Sequence, residues 1–217
     1  AISEELDDRD MKNDAMLDKA LLLTNAGFFF EANKVFDALD TLALDKEQMV
    51  RWYYARQKYL RDYQEYVSTS DFILPDVEKI KYYQNKVLSD IDAPSQMNRQ
   101  VRILRLLEEH DYKNAYEENR YFIGTLDPEG HDYAVQTYWQ GVICDNLNLK
   151  EESIKWWVES AISDIKGAVK DNASLCSVAV QLVAPEDTER AFKYIRISLD
   201  DAVYYNAKLR KVQIAST

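Results

Sequence analysis

Residues 101–123 read VRILRLLEEHDYKNAYEENRYFI, residues 139–161 read WQGVICDNLNLKEESIKWWVESA, and residues 177–199 read SVAVQLVAPEDTERAFKYIRISL. Aligned with one another they are spaced 38 residues apart, and five columns fall into phase: Ile103, Gly141 and Ala179; Leu106, Cys144 and Leu182; Ala115, Ser153 and Ala191; Tyr116, Ile154 and Phe192; Ile123, Ala161 and Leu199. A fixed period of this length marks a repeat architecture, in which each unit buries its apolar face only against its neighbours. The small columns carry the physics, because two helices approach to about 8–10 Å only where the side chains at their crossing are small. Between the columns lie polar turns, His110-Asp111-Tyr112, Asn148-Leu149-Lys150 and Glu186-Asp187-Thr188, so each unit reads as helix, turn, helix.

Working outward, the template fits again near the start, where Ala20, Leu23, Gly27 and Ala32 sit in register and Val35, Phe36 and Leu39 follow. The stretch from Leu44 to about Asp92 supplies a degenerate further unit. Its long helix, about 46–67, carries Met49, Tyr53, Leu60, Tyr63 and Val67 on one stripe and Trp52, Tyr59 and Tyr66 on a second, the pattern of a helix covered on two sides. With 5 Gly and 4 Pro in 217 residues there is little material for the many tight turns of an all-β sandwich. The expected fold is therefore all-α, a superhelix of about ten helices paired in hairpins at roughly 10–42, 44–92, 95–127, 132–168 and 172–209. No Pro-, Gly- or Ser-rich linker divides it, so the expectation is one continuous domain over 1–217.

Composition narrows the function. A formal charge of −11 repels phosphate backbones and anionic bilayers, which argues against nucleic-acid binding by this segment. No run of 18 apolar residues occurs, and the first residues, Ala-Ile-Ser-Glu-Glu, lack the basic and apolar regions of a leader. Two cysteines without a CxxC spacing and two histidines give no zinc pattern, and no GxGxxG or GKS/T is present, so neither a metal nor a cofactor is expected. His110 ends a helix and His131 follows Asp127-Pro128-Glu129-Gly130, both ordinary polar placements. The acidic pairs Glu108-Glu109, Glu117-Glu118, Glu151-Glu152 and Asp200-Asp201 point about 100° apart on a helix and do not converge on one atom. Cys144 shares a column with Leu106 and Leu182 and reads as a small buried group; a disulfide to Cys176 is demanded by no spacing. No catalytic residues emerge. The remaining candidate is the inner face of the superhelix, where the template places Gln100, Glu108, Tyr138, Asp145 and Asn146 and where a protein or peptide partner would bind.

The helix-turn-helix unit resembles the tetratricopeptide repeat, whose usual length is nearer 34 and whose consensus glycine survives as Gly141. The C-terminal segments AISDIKGAVKDNASL (161–175) and AFKYIRISLDDAVYYNAKLRKVQIA (191–215) are similar to the extracytoplasmic sensor region of a Bacteroidetes family of membrane-bound helix-turn-helix transcriptional regulators. That resemblance implies a non-enzymatic sensor domain in the periplasm, a membrane helix just after Thr217, and a signal passed through Phe192 to Leu209. Self-association as a homodimer is left open. The alternatives are a cytoplasmic tetratricopeptide scaffold that grips a peptide, and a glycan-binding lipoprotein.

Overall fold

Helix ends set the architecture. In the computed structural model, which describes residues 9–68, 76–90, 96–169, 173–182 and 184–215, α1 (Arg9–Asn25) is followed by α2 (Phe29–Ala38), a 3-10 turn (Thr41–Ala43), α3 (Lys46–Val67), α4 (Val77–Asp90), α5 (Gln96–Glu108), α6 (Tyr112–Ile123), α7 (His131–Asn146), α8 (Lys150–Lys166), α9 (Ala173–Gln181), a second 3-10 turn (Pro185–Asp187), α10 (Thr188–Tyr204) and α11 (Lys208–Ala215). No strand occurs among the described residues. The fold is all-α and built of helical hairpins, with eleven α-helices among those residues where the sequence suggested about ten.

One turn recurs. Gly27, His110, Asn148 and Asn206 each lie two residues past a helix end with positive φ, 77°, 59°, 58° and 52°, and the next helix starts two residues later. At each, paired backbone bonds close the finished helix: Phe28 N to Leu23 O and Gly27 N to Thr24 O, Asp111 N to Leu106 O and His110 N to Leu107 O, Leu149 N to Cys144 O and Asn148 N to Asp145 O, Ala207 N to Ala202 O and Asn206 N to Val203 O. This is the Schellman closure, which satisfies the orphan carbonyls of a helix end by sending one residue into the left-handed region. The following helix opens on the carbonyls of Phe28, Asp111, Leu149 and Ala207, which accept from Ala32, Ala115, Ser153 and Lys211. The first three of those N–H donors are the small residues of the sequence register, and all three are buried. Glu186, 38 residues after Asn148, lies instead in the 3-10 turn and has no positive φ.

The chain divides into two compact units, Ala1–Val101 and Arg102–Thr217, with the division inside α5. In the first, α1 packs on α2 and α3, and α3 on α4. Leu17, Ala20, Phe29, Ala32, Phe36, Val50, Ala55 and Tyr59 are buried. Asp45 caps α3 by accepting from Gln48 N at 2.8 Å, and Gln48 Oε1 accepts from Asp45 N, a capping box. The same Gln48 amide donates to Asp10 O and accepts from Asn13, and Arg51 pairs with Asp14 and Asp18 at 2.6 and 2.7 Å, which ties α3 to α1.

In the second unit, Ile103, Ala115, Phe122 and Ile143 form one apolar cluster of α5, α6 and α7. Gly141 on α7 faces Trp157 on α8 so closely that an added Cβ would sit on the indole. Asn119 donates to Gln136 O and Gln140 Oε1, both at 2.9 Å, locking α6 to α7. Ser160 donates to Ala134 O and contacts Ser174 Oγ at 2.5 Å, bridging α7, α8 and α9. Cys176, Ala202 and Ile214 make a second cluster joining α9, α10 and α11.

The register needs one correction. It aligns Phe192 and Leu199 with Tyr116 and Ile154 and with Ile123 and Ala161, yet Phe192 is 66% and Leu199 40% exposed. The phase itself survives, since Ser160 and Ser198, and Asp164 and Ala202, are buried in both copies. In the same columns of α8, Ile154 is half-buried and Ala161 buried, so what differs is how far each helix is covered there, with α9 packed on α8 and α11 on α10.

Candidate ligand-binding surfaces

The five residues expected on the inner face separate between the units. Gln100, in the first, accepts from Tyr54 OH at 2.9 Å and so acts as an interhelical tie. In the second unit, Glu108 is exposed at the end of α5. Tyr138 and Asp145, seven residues apart, share one stripe of α7 and are half-buried, with the Tyr138 ring edge-on to Trp139. Asn146 is exposed, but its Nδ2 turns back to Val142 O at 2.9 Å. The structure thus brings Tyr138 and Asp145 onto one stripe of α7.

Nearby on α6 and α8, Tyr116 OH donates to Glu152 at 2.7 Å while Trp156 Nε1 and Arg120 close around the pair. The hydrogen bond to Glu152, with burial, raises the Tyr116 pKa. Burial and the charge of Glu152 push the Cys144 thiol up to about 12, against a smaller opposing pull from Gln140 and Arg120. Cys144 is therefore an inert core thiol, and both it and Cys176 are buried and outside any disulfide.

The sequence reading missed a second place, in the first unit. Trp52, Arg56, Tyr59, Tyr63 and Tyr66 follow i, i+4, i+7, i+11 and i+14 along α3, so a lone cation sits within an aromatic stripe. The rings alone give a helix covered on two sides; the cation four residues after Trp52 is the signal of a site. The Arg56 guanidinium carbon lies 4.9 Å from the ring centre of Phe36, 5.6 Å from Tyr59, 5.8 Å from Trp52 and 5.9 Å from Tyr83. Its Nη1 reaches Asn33 Oδ1 at 3.4 Å. Among the described residues Arg56 has no carboxylate partner, and both its Nε and Trp52 Nε1 are buried donors without an acceptor. Burial raises the Tyr59 pKa and Arg56 partly opposes that rise. Beside this cluster Tyr82 is half-exposed, and Lys86 Nζ lies 5.8 and 6.0 Å from the Tyr82 and Tyr53 rings. Cation and rings stabilise one another, and the unmet N–H groups suit an acceptor oxygen flanked by a flat apolar face.

Among the described residues no group of three or more His, Cys, Asp or Glu could hold a metal ion, and no helix is long and apolar enough to cross a membrane. Hairpins of this kind, joined by a recurrent left-handed turn and packed through small residues, define a protein of the tetratricopeptide-repeat class. Within that class, the family model of the SusR N-terminal TPR domain matches residues 1–216, and the chain belongs to that family. No curated protein and no solved structure matches the chain.

Proposed function

We propose that this chain is the non-catalytic sensing region of a membrane-anchored transcriptional regulator, working on the extracytoplasmic side and delivering its signal through α10 and α11 to a membrane helix and a helix-turn-helix end. The observation that carries the reading is the family match over residues 1–216, because the family is the N-terminal part of SusR-like regulators. Two features of the chain support it. Tetratricopeptide surfaces serve recognition, and the Arg56 cluster supplies what recognition needs: rigid aromatic faces and unmet donors on helices fixed by capping and ion pairs.

The test has two arms. The coding sequence beyond Thr217 is expected to contain an apolar span of about 20 residues followed by a helix-turn-helix motif; a stop codon soon after Thr217, or a soluble continuation, overturns the membrane reading. In the second arm, a reporter driven by the intact regulator should lose its response to inducer in an Arg56→Met variant that still folds and accumulates. An unchanged response removes the Arg56 cluster from the sensing role.

A further inference from the structure

Along α10, Phe192, Arg196, Leu199 and Val203 recur at i, i+4, i+7 and i+11 and so line one face, turned to the side of the buried Ser198 and Ala202. Phe192 and Val203 are 66% and 58% exposed, and Leu199 lies between them. Arg196 and Asp200 flank this stripe on the same side, and among the described residues neither side chain makes a hydrogen bond or ion pair. They stand at i and i+4 with the cation first, which is the weaker order for pairing within a helix.

This face is complementary to itself. When two copies of α10 are laid antiparallel about a two-fold axis, Phe192 of one meets Val203 of the other, Arg196 meets Leu199, and Asp200 of each falls beside Arg196 of its mate. The axis keeps each flank on its own side, so both ion pairs form at once around an apolar seam, as an isologous interface requires. A partner surface of one charge sign would meet either Arg196 or Asp200 with repulsion, and an anionic bilayer would meet a chain of net charge −11.

We propose that α10 is the dimerisation helix of this protein, pairing antiparallel with α10 of a second copy through Phe192, Leu199 and Val203 and reciprocal Arg196–Asp200 contacts. The proposal stands independently of the sensing role. One helical face buries less than the roughly 1,200 Å² at which stable interfaces begin, so the free domain associates weakly, with a dissociation constant on the order of 10 μM to 1 mM.

Sedimentation equilibrium on the whole chain from micromolar to about millimolar concentration is the measurement. The unmodified protein should show a reversible monomer–dimer equilibrium. Arg196→Glu and Asp200→Arg should each weaken it by about tenfold or more, while an equimolar mixture of the two variants should form a heterodimer at least as tight as the original. Ile162→Glu, on the separately exposed apolar face of α8, should leave the equilibrium unchanged. Circular dichroism establishes that each variant keeps its helicity. A chain that stays monomeric to about millimolar concentration, a dimer indifferent to both charge reversals, or a mixture that fails to pair overturns the proposal.

Discussion

Replacing Gly141 by alanine sets two effects against each other. Within a helix, alanine is better than glycine by about 1 kcal/mol, and at an exposed site that gain would appear in full. Here the new methyl would fall on the Cδ1, Nε1 and Cε2 atoms of Trp157, roughly an ångström inside ordinary van der Waals contact. The indole is 5% exposed and wedged between α7 and α8, so it cannot swing into solvent. Overpacking of this kind costs about 1–3 kcal/mol, which offsets the propensity gain and leaves a net loss of up to about 2 kcal/mol. For a chain of this size that lowers the melting temperature by up to about 8 °C. Thermal unfolding followed by far-ultraviolet circular dichroism gives the number. The double variant Gly141→Ala, Trp157→Leu provides the check on cause, because removing the indole should make the alanine harmless and the pair strongly non-additive. Gly124, where a Cβ would meet the carbonyls of Tyr121 and Arg120 at 3.4 and 3.8 Å, both ordinary contacts, should accept alanine without loss. A rise in melting temperature for Gly141→Ala, matching that of Gly124→Ala, would refute the close crossing.

Ala168 holds φ 54° without the freedom of glycine, so Ala168→Gly should stabilise the chain by about 0.5–1 kcal/mol, measured by urea unfolding. Gln48→Ala removes the reciprocal half of the α3 cap and the ties to Asp10 and Asn13; a loss of about 1–2 kcal/mol is expected in the same assay. Cys144 should resist iodoacetamide at pH 8.5 in the folded protein and react on unfolding, as read by mass spectrometry. Because its folded pKa, about 12, is raised above the ordinary thiol value, the stability it contributes is intact below that ordinary value and is lost as pH climbs toward the folded one. A Cys144→Ala variant should therefore show a flatter alkaline limb in a pH–stability profile.

The all-α repeat was legible because small residues at a helix crossing are dictated by backbone approach, and Gly141, Ala115 and Ser153 record it in the sequence. The turns at His110 and Asn148 were legible as polar punctuation, whereas their left-handed geometry was not, since histidine and asparagine do not announce it as Gly27 does. Phe192 and Leu199 show the limit of column counting. Phase is a property of one helix, whereas burial depends on whether another helix arrives on that side. The Arg56 cluster was hidden for a related reason: rings at helical spacing look alike whether they fill a core or frame a cation, and only the distances to four centroids separate the two cases. Gln100, placed by template on a binding face, is taken up by Tyr54, a contact 46 residues distant in sequence that no local pattern reveals.

The recurrent left-handed turn also fixes how α10 belongs to the chain. Counted by side-chain columns, α10 closes the hairpin begun by α9; counted by the turn at Asn206, it opens another with α11. One rod thus serves as an arm of two levers, and Cys176, Ala202 and Ile214 form the pivot at which all three helices meet.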